Sequence, residues 1–196
     1  MRPRRLLPLV AALLLATGCS ASLDIGAPPG RLPSCPVGGD WSEKESVPPI
    51  VLMAQAVPTA SWLPCITALP AGITFDDVDT RNGLGRFWLS SGREGKHAIR
   101  VALTRECQPE GDAAEPNPQP GITRYVELGG SGPREWYHVF RGGCISYRFD
   151  LPTDTSEAAI AAGLGFVSRA AVGRWVSDQS DGRLRLDPPR NQDGPP

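Results

Sequence analysis

Histidine, the side chain that titrates nearest to neutral pH, is scarce in this chain. The chain contains two histidines, His97 and His138. A zinc protease would need His-Glu-x-x-His on one helix, and that motif is absent. The segment Gly129-Gly130-Ser131-Gly132-Pro133 approaches the nucleophile elbow Gly-x-Ser-x-Gly but ends in proline, which favours a flexible turn. The sequence also lacks a Walker-type loop and a dinucleotide fingerprint, so we predict no cofactor and no bound metal.

His138 is the candidate base if the chain is a hydrolase whose site is assembled only in the fold. A carboxylate beside the imidazole would then orient it for proton transfer. The carboxylates that we consider are Asp76, Asp77 and Asp150. A cysteine nucleophile, Cys65 or Cys144, is the other arrangement that this histidine would allow.

A second constellation could bind a ligand without catalysis. Ile99, Val101 and Leu103 alternate with polar neighbours, so Arg100 should face away from the core. The same reasoning predicts a shared outer sheet face for Arg100, Arg148, His138 and Trp136. Arginines beside an aromatic ring suit a carboxylate, a phosphate or a sugar-like group. The alternative is that an exposed sheet face needs polar residues anyway, and a one-residue slip in register would reverse the assignment.

The first 18 residues predict an export signal. Arg2, Arg4 and Arg5 form a basic head, and Leu6 to Ala16 is an apolar run. That run is shorter than the roughly 20 apolar residues that a bilayer span requires. Small residues follow it directly before Cys19, where a signal peptidase would cut.

Leu15-Ala16-Thr17-Gly18-Cys19 resembles the lipobox of bacterial lipoproteins. The resemblance implies that Cys19 receives a diacylglycerol and becomes the first mature residue. It also implies a cell-membrane location on the extracytoplasmic face, with the membrane as a partner through this lipid. Ala16 stands where leucine is usual, which leaves an ordinary signal peptide cut after Ala21 as the alternative.

The composition narrows the class of partner. Removing residues 1–18 leaves a net charge of −4, from 17 basic and 21 acidic residues. An acidic chain lacks the basic footprint of a nucleic-acid binder and a polybasic patch for anionic lipid heads. Arginine outnumbers lysine eighteen to two, a bias that resembles proteins of high-GC Gram-positive bacteria. The chain also resembles uncharacterised lipoproteins of that group in three segments, Pro64-Cys65, Leu69 to Gly72 and Gly142-Gly143-Cys144.

Four further cysteines predict two disulfides outside the cytoplasm. The number alone allows three pairings. We expect Cys35–Cys65 and Cys107–Cys144, because Cys107 ends one predicted strand and Cys144 begins another. A zinc site is disfavoured by the wide spacing of these cysteines.

The order of the elements predicts an α+β fold, in which an antiparallel sheet is packed by a C-terminal helical region within one disulfide-stapled domain. We expect a lipidated tether at 19–34, a globular domain at 35–186 and a disordered tail at 187–196. Strands are expected around Ile73, Phe87, Ile99, Tyr125, Tyr137 and Ile145, with hairpin turns at Asn82-Gly83 and Gly142-Gly143.

The remaining segments are less regular. Ile50 to Val57 suits either a helix or a strand, and Ser61 to Leu69 suggests a helical turn. Gln108 to Gly121 is interpreted as a long acidic loop. Apolar residues at helical spacing from Ile160 to Val176 follow a capping box formed by Asp154 and Glu157. A break near Gly165, with Ser168 capping a second helix, is equally consistent with that pattern.

These observations favour a membrane-anchored, extracytoplasmic binding or interaction module of the cell envelope without catalysis. Its partner would be an envelope ligand or protein. The alternative is the envelope hydrolase built around His138. A purely structural envelope component is a third hypothesis, which differs from the first only in having no specific ligand.

Overall fold

Nine strands and three helices make up the part of the chain that the computed structural model describes, namely residues 32–35, 47–109, 113–126, 134–151 and 157–188. The strands are β1 Trp62–Ile66, β2 Ile73–Arg81, β3 Leu84–Ser91, β4 Gly95–Thr104, β5 Ala113–Pro116, β6 Ile122–Val126, β7 Arg134–Phe140, β8 Gly143–Phe149 and β9 Leu164–Ser168. The helices are α1 Pro49–Ala56, α2 Glu157–Ala162 and α3 Arg169–Gln179. The predicted α+β class, with an antiparallel sheet and a C-terminal helix, is confirmed.

Seven strands form the main sheet in the order β2-β3-β4-β8-β7-β6-β5. Every neighbouring pair in it is antiparallel. Strand β8 lies between β4 and β7, and its pairing with β4 matches Ile99 with Phe149 and Leu103 with Ile145. Strands β1 and β9 form a separate antiparallel pair.

One face of the main sheet carries the core. The fully buried side chains of the central strands are Phe87, Leu89, Ile99, Val101, Leu103, Ile145, Tyr147 and Phe149. Helix α1 packs over β3, where a Cβ atom on Gly85 would lie 3.2 Å from Met53. Close approach of the helix therefore depends on a glycine in the strand beneath it.

Both expected disulfides are present. Cys35–Cys65 ties the segment before α1 to β1, and Cys107–Cys144 joins the end of β4 to the start of β8. They close loops with sequence separations of 30 and 37 residues, which corresponds to roughly 3–4 kcal/mol of stabilisation each. Neither Cys65 nor Cys144 retains a thiol, so the cysteine-nucleophile arrangement is wrong.

Three expectations about secondary structure need correction. Ser61 to Leu69 contains β1 instead of a helical turn, and Leu164 to Ser168 forms β9 instead of continuing a helix. These two segments pair with each other across about 100 residues, and local patterning carries no signal for such a pairing. The segment Gln108 to Gly121 is also not a continuous loop, since β5 lies within it and pairs with β6.

The capping of the last two helices is described in part. Ser168 accepts a hydrogen bond from the amide of Ala171 and begins α3, as predicted. Asp154, and with it the expected capping box to Glu157, lies outside the described residues. Ile50 to Val57, which suited either a helix or a strand, belongs to helix α1 and its C-cap residue Val57. The helix starts after Pro48 and has Pro49 in its first turn.

Residues next to both expected boundaries of the globular domain form hydrogen bonds with it. Within the segment assigned to the tether, the carbonyl of Pro33 accepts a hydrogen bond from Ile66, and Ser34 forms a bridge with the same residue. Asp187, assigned to the tail, donates its amide to Gln55 and accepts a hydrogen bond from Arg169. Both contacts join residues just outside 35–186 to residues within that range.

The hairpin between β7 and β8 is fastened to the segment before β1. Gly142 occupies its turn with φ +75, as the glycine pair predicted. A Cβ atom there would collide with the carbonyl oxygen of Thr59. Glycine is thus required at this position both for its backbone conformation and for the close approach of a second chain segment.

We expect Gly142→Ala to destabilise the protein more than an alanine placed in an equally left-handed but open turn. Gly95→Ala is the matched control, because Gly95 has φ +85 and a Cβ there meets nothing within 4 Å. The control should cost about 1–2 kcal/mol from backbone strain alone, and Gly142→Ala about 2 kcal/mol more from the collision. Urea unfolding measures both values, and equal losses would contradict the close packing on Thr59.

Candidate functional site

Of the four residues predicted to share the outer face of the sheet, only two lie there. Arg100 and Arg148 are directly paired neighbours on the solvent face of the sheet. Trp136 and His138 lie on the opposite face and are 8% and 5% exposed. The four side chains therefore do not share one surface.

The error lies in the assignment of faces on β7. This strand carries large side chains on both faces, so the two alternative patterns look alike in the sequence. The structure pairs Trp136 with Tyr147 and His138 with Ile145, which places both on the core side. Tyr137 and Val139 take the less buried positions. A shift of one residue exchanges the two faces of a strand.

The two arginines that do face solvent have carboxylate partners. Arg100 lies 3.6 Å from Glu135, and Arg148 lies 3.4 Å from Asp150. Asp79 pairs with Arg86 on the same sheet at 2.8 Å. These pairs favour the interpretation of an ordinary polar surface, because the positive charges are already neutralised locally.

Trp136 and His138 instead help to line a partly open cavity of about 320 Å³ between the main sheet and α2, which we call the aromatic pocket. Its lining residues are Asn117, Pro118, Arg124, Trp136, His138, Tyr147, Ala158, Ala161, Ala162, Leu164 and Phe166. Three strands supply the floor, α2 supplies short alanine side chains, and β9 supplies Phe166. The pocket thus depends on elements that are distant in sequence.

Strand register brings the polar side chains of this pocket together. Arg124 on β6 pairs with His138 on β7, and Tyr147 on β8 pairs with Trp136. The imidazole of His138 contacts the rings of Tyr147 and Phe166, with centroids 4.8 and 5.0 Å away. The guanidinium of Arg124 lies 4.3 Å from the centre of the Trp136 ring. This distance is typical of a cation–π contact.

Three buried polar atoms in the aromatic pocket have no hydrogen-bond partner among the described residues. They are Nε of Arg124, Nδ1 of His138 and the hydroxyl of Tyr147. An unsatisfied buried polar group costs on the order of 1–3 kcal/mol, and such groups are rare in folded proteins. Four other buried polar atoms of the described residues also lack a hydrogen-bond partner, but these three belong to residues that line one cavity, as in a site that receives its partner from outside the chain.

The protonation states in the aromatic pocket follow from burial. Burial, together with the smaller effect of the nearby positive charge of Arg124, lowers the pKa of His138 to about 4. Burial raises the pKa of Tyr147 far above its ordinary value, although Arg124 opposes this effect. At neutral pH the pocket therefore holds a neutral imidazole, a protonated phenol and a guanidinium cation.

This set of groups suits binding better than proton transfer at neutral pH. Arg124 and Tyr147 offer hydrogen-bond donors, and the neutral imidazole offers a donor or an acceptor. Glu115 lies 3.6 Å from Arg124 and is half exposed, so it neutralises that charge only in part. The rings of Trp136 and Phe166 provide apolar faces against which a ring-shaped ligand can pack.

The carboxylates expected beside His138 are elsewhere. None of the residues that line the aromatic pocket is an aspartate or a glutamate. Asp76 contacts the other histidine, His97, at 3.1 Å, and Asp77 accepts a hydrogen bond from the backbone of Val78. Asp150 pairs with Arg148 on the outer face. The predicted His138–carboxylate arrangements are therefore wrong.

Metal-binding clusters and membrane-spanning helices are both absent from the described residues. No group of three or more histidine, cysteine, aspartate or glutamate side chains is arranged to hold a metal ion within these ranges. No helix in them is long and apolar enough to cross a membrane. Cys19 and the rest of the lipobox lie outside the described residues.

The sequence analysis missed Arg124, Tyr147 and Phe166 as site residues. Arg124 could have been found from the sequence. It lies two residues from both Ile122 and Val126, so in a strand it shares the face of these two apolar residues, which should be the core face. Tyr147 lies in a run of core residues and looks like one of them. Phe166 reaches the pocket through the long-range pairing of β9 with β1, which the sequence pattern did not indicate.

No protein-family model, curated protein or solved structure matches this chain. The chemistry of the aromatic pocket is therefore the basis for assigning a function.

The low pKa of His138 predicts a pH-dependent stability. The unfolded chain binds a proton on this histidine below pH 6.5, whereas the folded chain does so only near pH 4. The free energy of unfolding should therefore fall by up to about 3 kcal/mol as the pH drops from 6.5 to 4. Urea unfolding across this range measures the loss.

His138→Phe separates this effect from the titration of carboxylates. The variant should lose the part of the pH dependence that arises from His138, while its unfolding free energy at pH 7 stays similar because phenylalanine keeps the ring contacts. His97→Gln is the control, since it removes the other histidine, which is exposed. An unchanged pH dependence in His138→Phe would contradict the buried, neutral imidazole.

Proposed function

We propose that this chain is a membrane-anchored, extracytoplasmic lipoprotein of the cell envelope that binds a small ligand in the aromatic pocket. The observation that carries the proposal is the convergence of three unpartnered buried polar atoms on that pocket, from Arg124, His138 and Tyr147. A ligand that supplied their missing hydrogen bonds would recover the cost of burying them.

The chemistry of the aromatic pocket favours a small anion with a ring-shaped body. A guanidinium and a phenol beside each other donate to the oxygens of a carboxylate. Trp136, Tyr147 and Phe166 supply aromatic surface for the remainder of the ligand. A volume of about 320 Å³ limits the ligand to a small molecule.

The cellular location is supported by the lipobox-like segment that ends at Cys19 and by the two disulfides. Disulfides persist outside the reducing cytoplasm. Two or more fatty chains are needed for stable anchoring, and a lipidated, acylated Cys19 would provide them. The domain would then sit on the extracytoplasmic face with its pocket open to envelope molecules.

The mass of the protein from native membranes tests the location. We expect a mature chain that starts at Cys19, carries added lipid and is four hydrogens lighter before reduction than after it, because each disulfide lacks two. Cys19→Ala should abolish the added mass. An unlipidated chain in the medium would contradict the anchor, and free thiols in the native protein would contradict the disulfides.

Binding of benzoate tests the aromatic pocket, with benzamide as the matched neutral probe. Calorimetric titration of the full chain in detergent should show benzoate binding more tightly, because Arg124 favours a negative charge. Tyr147→Phe and Arg124→Gln should each weaken benzoate binding by roughly tenfold through loss of one donor.

The controls change the same residue types on the outer face of the sheet. Tyr125→Phe and Arg148→Gln should leave benzoate binding within about twofold of the parent chain. Equal weakening by these controls would mean that binding does not occur in the aromatic pocket. Failure of the parent chain to distinguish benzoate from benzamide would refute the proposed anion preference.

A further inference from the structure

A second and larger cavity lies at the other end of β9, and four of its lining residues are arginines. It has a volume of about 750 Å³ and is open to solvent along one side, and we call it the arginine groove. Its charged lining residues are Arg141, Arg169, Arg174, Arg185 and Asp187. Four positive charges therefore face one negative charge, on a chain whose predicted mature form is acidic overall.

Three parts of the fold fix the arginines around this groove. Ser61 donates its amide and its hydroxyl to the carbonyl of Arg141, and its own carbonyl accepts the amide of Arg169. Arg174 lies one helical turn farther along α3. Leu186 packs 3.7 Å from the position of a Cβ on Gly173, so the segment that carries Arg185 lies against the same helix.

Arg169 is a buried cation that forms no ion pair with a carboxylate among the described residues. It is 7% exposed, and its guanidinium donates to the backbone carbonyls of Ala54 and Asp187 and to the side chain of Gln55. These partners accept its hydrogen bonds but are uncharged, so its positive charge is compensated only in part. Burial lowers the pKa of Arg169, which the charge of Asp187 only partly opposes. A buried charge is costly unless an opposite charge lies nearby.

The other three arginines are exposed, and none forms an ion pair with a residue in the described ranges. On the outer face of the sheet, by contrast, Arg100 and Arg148 each have a carboxylate partner. The amino end of α3, which begins at Ser168, also faces the groove and adds positive potential. Charge in this groove is thus concentrated and unbalanced.

We propose that the arginine groove binds a phosphate group, either free or in the head group of an anionic phospholipid. A phosphate has more acceptor oxygens than a carboxylate and suits guanidinium groups that approach from several elements. Within the predicted tether of residues 19–34, the 13 residues 19–31 that precede Leu32 would reach at most about 45 Å, which would keep the groove near the membrane surface. This site uses residues other than those of the aromatic pocket and does not depend on the function proposed for that pocket.

Titration with inorganic phosphate tests the site directly. The full chain in neutral detergent should bind phosphate, and the double variant Arg141→Gln/Arg174→Gln should bind it at least roughly tenfold more weakly. Both side chains are exposed, so their replacement should leave the fold intact. The charge-matched control is Arg105→Gln/Arg148→Gln, which should change phosphate binding by less than about twofold.

Lipid nanodiscs distinguish the two sources of phosphate. If a head group occupies the groove, the parent chain should unfold at a higher temperature in nanodiscs with phosphatidylglycerol than in phosphatidylcholine alone, and the groove double variant should lose that difference. Phosphate binding without this lipid effect would assign the groove to free phosphate. Equal phosphate affinity and equal lipid response in parent and groove variant would overturn the proposal.

Discussion

The pairing of β8 with β4 on one side and β7 on the other is the interaction on which the rest of the structure depends. The pairing with β4 joins strands about 40 residues apart, the pairing with β7 closes a hairpin, and together they set which side chains face the core. Cys107–Cys144 fastens the same junction covalently. Because side chains alternate along a strand, this one register places Tyr147 beside Trp136 and fixes the polar groups of the aromatic pocket.

The aromatic pocket shows a conflict between stability and recognition. A core built only from apolar side chains would not include a guanidinium, an imidazole and a phenol with unpartnered atoms. Contacts with the face of Trp136 and with Glu115 at the rim offset part of the free-energy cost of burying Arg124. The short alanines of α2 leave space above these groups, where larger apolar side chains would have filled it.

The sequence predicted those parts of the fold that local patterns determine. Regular alternation identified β4 and β8, and the pairs Asn82-Gly83 and Gly142-Gly143 identified two hairpin turns. Strand ends suggested the Cys107–Cys144 disulfide. It failed where both faces of a strand carry large side chains, as in β7, and where a strand forms only through a distant partner, as in β9. The site was therefore only partly predictable, since His138 was named but placed on the wrong face.

Strand β9 connects the two cavities of the molecule. Leu164 and Phe166 at its start line the aromatic pocket, and Ser168 at its end lines the arginine groove. Five residues of strand span only about 13 Å between their end Cα atoms, so the cavities are close without sharing a lining residue. Their separation depends on β9 staying paired with β1, and the Cys35–Cys65 disulfide holds β1 in place. Cys35–Cys65 thus stabilises the wall between the two cavities, whereas Cys107–Cys144 stabilises the floor of the aromatic pocket.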